Sequence, residues 1–391
     1  MIMKPVTLFL FLLIALQTFA QPKTIKGRIV DSNTQQGLAY TNIGIEGTFY
    51  GTASNAEGFF ELKVPKEFLD ETLYISAVGY GNVTYPISKL IDQEFTRIPL
   101  EEQTYSIEGV NVAAESLVLF RIVRTAAERV SQNYHYGPFS LKFHYLERTK
   151  YGAKESLDRE AVVEMYDENG YMEPSIADAF KKRHYKFIQV NKNFAPYSFQ
   201  GGESGFDELI EMDLARLSNT LFDEELLSDY DLYLEDVSTY EGDSVWIISY
   251  KANEADLPHT GDYYATKMEG KMYILKKSYA LIRNECMIEA SQNNSHNRSL
   301  YVKDRGQQEV RYHFTCAYKQ HDGLYVVSYL DCDKTYISEK GEEVSNSRKA
   351  AVLELNKSPK MTKVAGRNYF ENTAFVEKFW KGFHALQKEE L

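Results

Sequence analysis

The residues best suited to chemistry in this sequence are a His-x-x-Glu pair and a histidine far downstream. His144 and Glu147 stand three positions apart, and His259 follows more than a hundred residues later. Two imidazoles and one carboxylate can hold a tetrahedral zinc ion and leave its fourth position open for water. This spacing makes a zinc-dependent hydrolase one hypothesis for the chain.

The strand predicted around the pair argues against a shared metal ion. Residues 141–146 alternate in a way that is typical of a β-strand. Side chains three positions apart on a strand point to opposite faces, so His144 and Glu147 would need a bulge to reach one ion. The sequence also contains no His-Glu-x-x-His motif. We therefore predict no catalytic, cofactor-binding or metal-binding residue, no cofactor and no enzymatic activity.

Two other motifs are better explained by loops than by chemistry. Residues 201–205 lack the Gly-x-Ser-x-Gly spacing that places a nucleophilic serine on a sharp turn, so a flexible loop is predicted there. The basic run Lys181-Lys182-Arg183-His184 is too short for a nucleic-acid-binding face. A solvated turn is predicted for it.

The composition is that of an acidic globular protein rich in strands. Hydrophobic residues make up 43% and charged residues 26% of the 391 positions, which excludes a disordered or multi-span membrane chain. Lys and Arg number 44 against 56 Asp and Glu, and the resulting net charge of −12 excludes nucleic acid as a partner. The 29 tyrosines favour strands, because amphipathic rings suit a half-buried pleated surface.

Residues 1–20 have the features of a secretory signal peptide. Lys4 supplies a positive charge, Val6–Leu16 forms an apolar region, and Ala20 is a small residue before the predicted cleavage site. The apolar region is shorter than the roughly 20 residues that span a bilayer. An exported chain with no transmembrane segment after cleavage is predicted, and an uncleaved anchor is the alternative.

The three cysteines do not define a disulfide framework. The cysteines are odd in number (Cys286, Cys316 and Cys332), and a chain of this length can bury a core without disulfide bonds. One pair could be oxidised after export, but the spacing does not say which pair. Buried free thiols are the favoured interpretation.

From Thr24 onward, short alternating runs are separated by turn residues every 8–12 positions, which predicts a β-sandwich. The glycines fall where the backbone must turn sharply. The predicted strands are 24–31, 38–45, 48–53, 59–64, 73–78 and 95–100.

The turn residues of this region follow the order of a known family. They are Gly27-x-x-x-Asp31, Gly37-Leu38-Ala39, Gly47-Thr48-x-x-Gly51-Thr52, Asn55-x-Glu57-Gly58-x-Phe60 and Gly79-Tyr80. Residues 22–101 thereby resemble the carboxypeptidase regulatory-like domain, a transthyretin-like β-sandwich found at the N-terminus of envelope proteins and TonB-dependent receptors of Bacteroidota. The resemblance implies a non-catalytic module in the periplasm or at the periplasmic face of the outer membrane. Asn55 and Glu57 depart from the usual residues of that turn, which weakens the case for a bound cation.

The rest of the chain predicts a second, larger domain. Residues 102–112 form a predicted linker, and residues 113–391 a β-rich domain with helices near 113–134, 206–227 and 371–387. Its long alternating strands predict an α+β fold, in which helices cover one large twisted antiparallel sheet. The whole chain is therefore expected to be mainly β.

Part of this second domain is similar to the half-barrel of periplasmic lipoprotein carriers. The similarity lies in the strand pattern of residues 243–250, 270–274 and 280–283. It implies a concave sheet whose apolar inside binds a hydrophobic ligand or a peptide. A filled core without a cavity is the alternative.

These observations predict a non-catalytic exported cell-envelope protein with a binding or assembly role. Its partner would be an unknown envelope protein or an apolar or peptide ligand, with an outer-membrane association. Two alternatives stay open at this point. One is a zinc-dependent carboxypeptidase-like hydrolase, and the other is an accessory subunit of a TonB-dependent outer-membrane receptor system.

Overall fold

The computed structural model describes most of the chain after its first 22 residues. The described residues are 23–48, 50–103, 112–153, 157–171, 183–191, 205–210, 212–216, 220–260, 262, 264–292, 308–338, 340–357, 359, 373, 375–381 and 383. The predicted signal peptide (1–20), most of the predicted linker (102–112) and residues 201–204 lie outside them. Among the described residues, no helix is long and apolar enough to cross a membrane.

The N-terminal strands form two facing sheets. One sheet has the order β4-β1-β7, in which β1 is antiparallel to β4 and parallel to β7, and the other has the order β3-β2-β5-β6. A core that includes Ile29, Phe60 and Ile75 fills the space between them. The predicted β-sandwich is confirmed. Its elements are β1 (Lys23–Asp31), β2 (Asn42–Ile45), β3 (Gly51–Ala53), β4 (Phe59–Val64), β5 (Thr72–Ser76), β6 (Val83–Pro86), α1 (Ile87–Leu90) and β7 (Thr96–Leu100).

The second domain contains a single sheet of ten described strands, all antiparallel. Its order is β10-β9-β8-β17-β16-β15-β14-β13-β12-β11, so the first and last strands of the domain, β8 and β17, pair in its interior. The predicted large antiparallel sheet is confirmed. The strands are β8 (Phe139–Tyr151), β9 (Leu157–Asp167), β10 (Arg183–Val190), β11 (Tyr230–Tyr240), β12 (Asp243–Ala252), β13 (Ala265–Leu275), β14 (Leu281–Gln292), β15 (Gln308–His321), β16 (Leu324–Ile337) and β17 (Glu343–Asn356).

Among the described residues, few helices accompany the sheet. They are α2 (Val112–Glu128), α3 (Val130–Asn133), α4 (Gly205–Ile210), α5 (Leu257–Thr260) and α6 (Glu377–Lys381). Helix α2 buries Leu119, Val123 and Ala126, whereas Leu117 on the same helix is 71% exposed. The buried stripe is set by packing against β11, which rotates Leu117 toward solvent. Where one helix is predicted near 206–227, the described residues form α4 followed by turns.

Helices α2, α3 and α4 cover one face of the sheet, which we call the helix-covered face. The Phe206 ring of α4 lies 5.4 Å from Phe143, 5.7 Å from Tyr145 and 5.0 Å from Tyr185 between ring centroids. The contacts between these rings fill the described part of this face in the manner of a core. This packing favours the filled-core alternative over an open apolar cavity.

A buried ion-pair network also lies on the helix-covered face. Arg183 donates from Nε to Asp167 at 2.9 Å and from Nη2 to Asp213 at 3.0 Å, and Arg216 donates to Asp167 at 2.6 Å. Tyr171 donates its hydroxyl to Asp213 at 2.9 Å. The prediction of a solvated turn at 181–184 is therefore wrong for Arg183, which is 8% exposed. The two carboxylates, which lie far from Arg183 in the sequence, keep its charge inside the fold.

The network responds to pH through Asp167. Burial would raise the pKa of this carboxyl group, but Arg183 and Arg216 outweigh burial and hold the pKa below its usual 3.8. A lowered folded-state pKa adds stability above the unfolded pKa, and this stability is lost as the pH falls through the folded value. We therefore expect the contribution of Asp167 to decline as the pH falls below about 4.

We predict that Arg183→Ala lowers the free energy of unfolding by about 3–5 kcal/mol, because it leaves two buried carboxylates without their shared cation. Lys186→Ala, in the same strand but exposed, is the matched control and should change stability by less than about 0.5 kcal/mol. Urea denaturation monitored by circular dichroism measures both values. Equal stability of the two variants would contradict a structural role for the network.

Candidate functional site

The structure places His144 and Glu147 on opposite faces of β8. His144 Nε2 lies 2.9 Å from Glu160 Oε1. Glu147 instead accepts from Arg159 Nη1 at 3.3 Å and from Asn346 Nδ2 at 3.2 Å on the helix-covered face. The two side chains that the zinc hypothesis needs are therefore not brought together.

His259 lies far from both of them. Its ring packs on Tyr230 of β11 at 5.4 Å between centroids, and its two nitrogens lie against Asp256 and Asp229. In the strand order, β8 and β11 are seven positions apart, which corresponds to roughly 34 Å along the sheet at about 4.8 Å per strand. Among the described residues, no group of three or more His, Cys, Asp or Glu side chains could hold a metal ion.

The three cysteines are buried and free. Cys286 and Cys332 both align with Phe314 from the strands on either side of it. They are thus two strand spacings apart, roughly 10 Å, which exceeds the ~7 Å reach of a disulfide. Burial also raises the pKa of the Cys286 thiol to about 12, so this thiol is a poor nucleophile at neutral pH.

The turn at Asn55 is occupied by its own backbone. Asn55 Oδ1 accepts hydrogen bonds from the N–H groups of Glu57 at 3.0 Å and Phe59 at 2.8 Å. The amide oxygen therefore closes the turn into β4. This supports a structural role for the turn rather than a role as a ligand-binding loop.

The sandwich docks on the second face of the sheet, opposite the helices, which we call the sandwich-facing face. The N–H of Gly79 donates to the carbonyl of Thr239 at 2.8 Å, and Ser76 Oγ donates to Glu241 at 3.2 Å. Gly79 has a φ of +87°, and a Cβ there would lie only 3.0 Å from Ser238 Oγ. The Gly79-Tyr80 motif thus supplies both the backbone conformation and the close approach on which the docking depends.

A small pocket lies where the two domains meet, and we call it the junction pocket. Its volume is about 50 Å³. The sandwich contributes Tyr40 and Thr52 to its walls, and the sheet contributes Arg283, Lys319 and Tyr329. Neither domain forms the pocket alone, so a ligand here would sense whether the domains are docked.

Tyr40 enters the junction pocket from a strained backbone position. Its φ of +52° is uncommon for a residue with a bulky side chain. Its ring lies 6.2 Å from that of Tyr329, whose hydroxyl donates to Asp331 at 3.1 Å. Such strain persists only where the surrounding contacts hold it, and it is concentrated at functional sites.

Two cationic side chains supply the polar character of the junction pocket. Lys319 Nζ approaches Gly44, where an added Cβ would lie 2.5 Å away, so the glycine provides the room for the ammonium group. Burial lowers the pKa of Lys319 to about 8, against the opposing charge of Glu241. Arg283 stacks over the Tyr273 ring at 3.8 Å and pairs with Glu285 at 3.0 Å. The site therefore offers charged donors within apolar and aromatic walls.

Sequence reasoning missed the junction pocket. Tyr40, Arg283 and Lys319 come from three distant segments, and none belongs to a local motif with a chemical meaning. The nearest signal is the Gly37-Leu38-Ala39 motif just before Tyr40, but the sequence pattern places Tyr40 in a strand (38–45), whereas in the structure it lies in the turn before β2. The contact between the domains creates the site.

The lowered pKa of Lys319 predicts a specific pH dependence of stability. Between about pH 8 and 10.5 the unfolded chain keeps this proton while the folded chain releases it, so unfolding becomes less favourable as the pH rises. The side chain of the Lys319→Arg variant stays charged in both the folded and the unfolded chain, so this variant does not gain stability as the pH rises. We expect the stability difference between wild type and Lys319→Arg to increase from pH 7 to 9.5 in urea titrations. A difference independent of pH, like that expected for the exposed control Lys66→Arg, would contradict the assignment.

Comparisons with known proteins bear mainly on the N-terminal domain. Residues 25–112 match the family model of the CarboxypepD_reg-like domain, which extends through the predicted linker. A comparison with curated proteins found no match.

Two solved structures are similar to this chain at low levels. A Vibrio parahaemolyticus domain with a proposed role in outer-membrane lipoprotein sorting is 12% identical, with a TM-score of 0.29, over 62% of this chain and 95% of its own. A LolA superfamily protein from Nitrosomonas europaea is 9% identical, with a TM-score of 0.23, over 62% and 96%. TM-scores of this size do not establish a common fold, so no functional argument follows from them. The N-terminal match is the firmer result: this chain carries a CarboxypepD_reg-like domain.

Proposed function

We propose that this is a non-catalytic, exported cell-envelope protein that binds a protein partner at the junction pocket. It acts in the periplasm or at the periplasmic face of the outer membrane. The features of residues 1–20, the acidic composition and the CarboxypepD_reg-like domain support this location and role. The separation of His144, Glu147 and His259 removes the one arrangement that favoured a zinc hydrolase.

The size of the junction pocket carries the proposal. Pockets for small molecules and cofactors usually enclose about 300–1,000 Å³. At about 50 Å³, this pocket has room for one side chain but not for a whole lipid or metabolite. A partner protein that inserts a single anchoring side chain fits this volume, since such anchors supply much of the energy of an interface.

The pocket walls indicate the chemistry of that anchor. Tyr40 and Tyr329 form an aromatic boundary, while Lys319 and Arg283 offer donors. An anchor with an apolar stem and an acceptor at its tip would satisfy both parts of the site. Because both domains line the pocket, the partner would also stabilise their docking.

If the protein acts as part of an assembly, its role would be that of an accessory subunit in a TonB-dependent outer-membrane receptor system. The resemblance of the N-terminal domain to modules of such receptors favours it. A role as a carrier of a hydrophobic ligand is less favoured, because the described part of the helix-covered face is filled by aromatic rings.

Photo-crosslinking tests the proposal in cells of the source organism. A photoreactive phenylalanine analogue replaces Asn42, which lines the pocket, or Tyr151, an exposed control residue on the far end of β8. We expect one defined envelope protein to crosslink at position 42 but not at 151. Lys319→Glu should reduce that crosslink at least about tenfold, because an unfavourable charge in a buried contact costs more than 1.4 kcal/mol.

The control separates an effect at the pocket from a general effect of the charge change. Lys66→Glu makes the same charge change at an exposed site of the sandwich and should leave the crosslink unchanged. A crosslink equally strong at 42 and 151, or insensitive to Lys319→Glu, contradicts the proposal. Native mass spectrometry showing a stoichiometric lipid on the purified protein would instead favour a carrier.

A further inference from the structure

The sandwich-facing face carries a second, separate feature near its β10 edge. The C-terminal strap, which we define as residues 373, 375–381 and 383, crosses the sheet there. Three of its four aromatic side chains pack on an apolar patch formed by β9, β10 and β17. The strap residues are Phe379, Trp380 and Phe383, and the patch residues are Val162, Ile188 and Leu353.

The strap also uses polar groups of the sheet edge. Trp380 Nε1 donates to the carbonyl of Val190 at 2.7 Å, and Thr373 Oγ1 donates to the carbonyl of Phe187 at 2.7 Å. Phe375 forms a parallel bridge with Val190. β10 ends the ten-stranded order, so these contacts occupy backbone groups that an edge strand otherwise offers to another chain.

The buried imidazole of His144 lies beneath the strap, and one of its nitrogens could form a further hydrogen bond. His144 is fully buried, and its Nε2 is held by Glu160 at 2.9 Å. Among the described residues its Nδ1 has no hydrogen-bond partner, and the ring of Phe383 lies 5.1 Å away, edge to face. A buried nitrogen without a partner costs about 1–3 kcal/mol. The apolar strap therefore leaves one polar group of this surface unsatisfied.

The strap itself is only partly accommodated. Phe375 is 42% exposed and Val376 is 44% exposed, although both belong to the segment that anchors the strap. The strap is thus held by a few aromatic side chains, while other apolar residues in it are exposed and His144 Nδ1 below it lacks a hydrogen bond among the described residues. A segment from another protein could make the same anchors and satisfy His144 as well.

We propose that the surface under the strap is a docking groove for a peptide segment of a partner protein, and that the strap is its resident occupant. The peptide would carry adjacent aromatic residues and a third aromatic residue three positions later, as 379, 380 and 383 do. It would donate to the Val190 carbonyl and present a hydrogen-bonding group to His144 Nδ1. This groove is distinct from the junction pocket and goes beyond the function proposed above.

A labelled peptide with the sequence of residues 373–383 tests the groove on the full-length protein. In wild type the tethered strap holds the groove at a high effective concentration, so the peptide should bind weakly. Trp380→Ala removes the indole anchor, and we expect at least tenfold tighter binding to this variant by fluorescence anisotropy. A peptide with Tyr in place of Phe383 tests the unused hydrogen bond and should bind more tightly still.

Three controls make the result decisive. Thr373→Val removes only one hydrogen bond of the strap, so it should increase the affinity for the peptide less than Trp380→Ala does. It keeps the test possible if Trp380→Ala proves unstable. A scrambled peptide should not bind, and Lys319→Glu, in the junction pocket, should not alter peptide binding. Absence of peptide binding to both strap variants, or equal binding to wild type and both variants, would overturn the proposal.

Discussion

A sheet with apolar side chains on both faces must have both faces covered, and this constraint explains how the chain is organised. The described strands of the second domain form one ten-stranded sheet with apolar side chains on both faces. Short helices and their connecting turns cover one face with a tyrosine- and phenylalanine-rich core. The other face is shared by the N-terminal sandwich and the C-terminal strap. Both candidate binding surfaces arise where this second cover meets the sheet.

The two covers are held by different kinds of interaction. On the helix-covered face, Arg183 and Arg216 neutralise Asp167 within a fully desolvated network, which requires one geometry because any displacement leaves a buried charge unpaired. On the sandwich-facing face, the contacts are single hydrogen bonds and ring packing, such as Gly79 with Thr239 and Tyr40 with Tyr329. Interfaces of this second kind permit exchange. It is therefore reasonable that the binding surfaces lie on the face with the weaker cover.

Much of the fold could be predicted from the sequence, since alternation and turn residues are local signals. The order of glycines from Gly27 to Gly79 identified the sandwich, and the separation of His144 from Glu147 followed from strand geometry alone. The burial of Arg183 could not be predicted, because it depends on strand pairing that places Asp167 opposite Arg183 and on packing that brings Asp213 to the same site. The exposure of Leu117 and the junction pocket likewise depend on contacts between distant segments, which periodicity does not encode.

The pairing of β8 with β17 has a consequence for how the larger domain folds. Phe143 aligns with Val352, more than two hundred residues later, and this ladder lies in the interior of the sheet. Contacts between such distant segments form slowly, because a long loop must close before they stabilise anything. The strands synthesised first must therefore wait for the last strand to leave the ribosome. The sheet of this domain should therefore be completed only once β17 has left the ribosome, and until then its unpaired strands are exposed to aggregation.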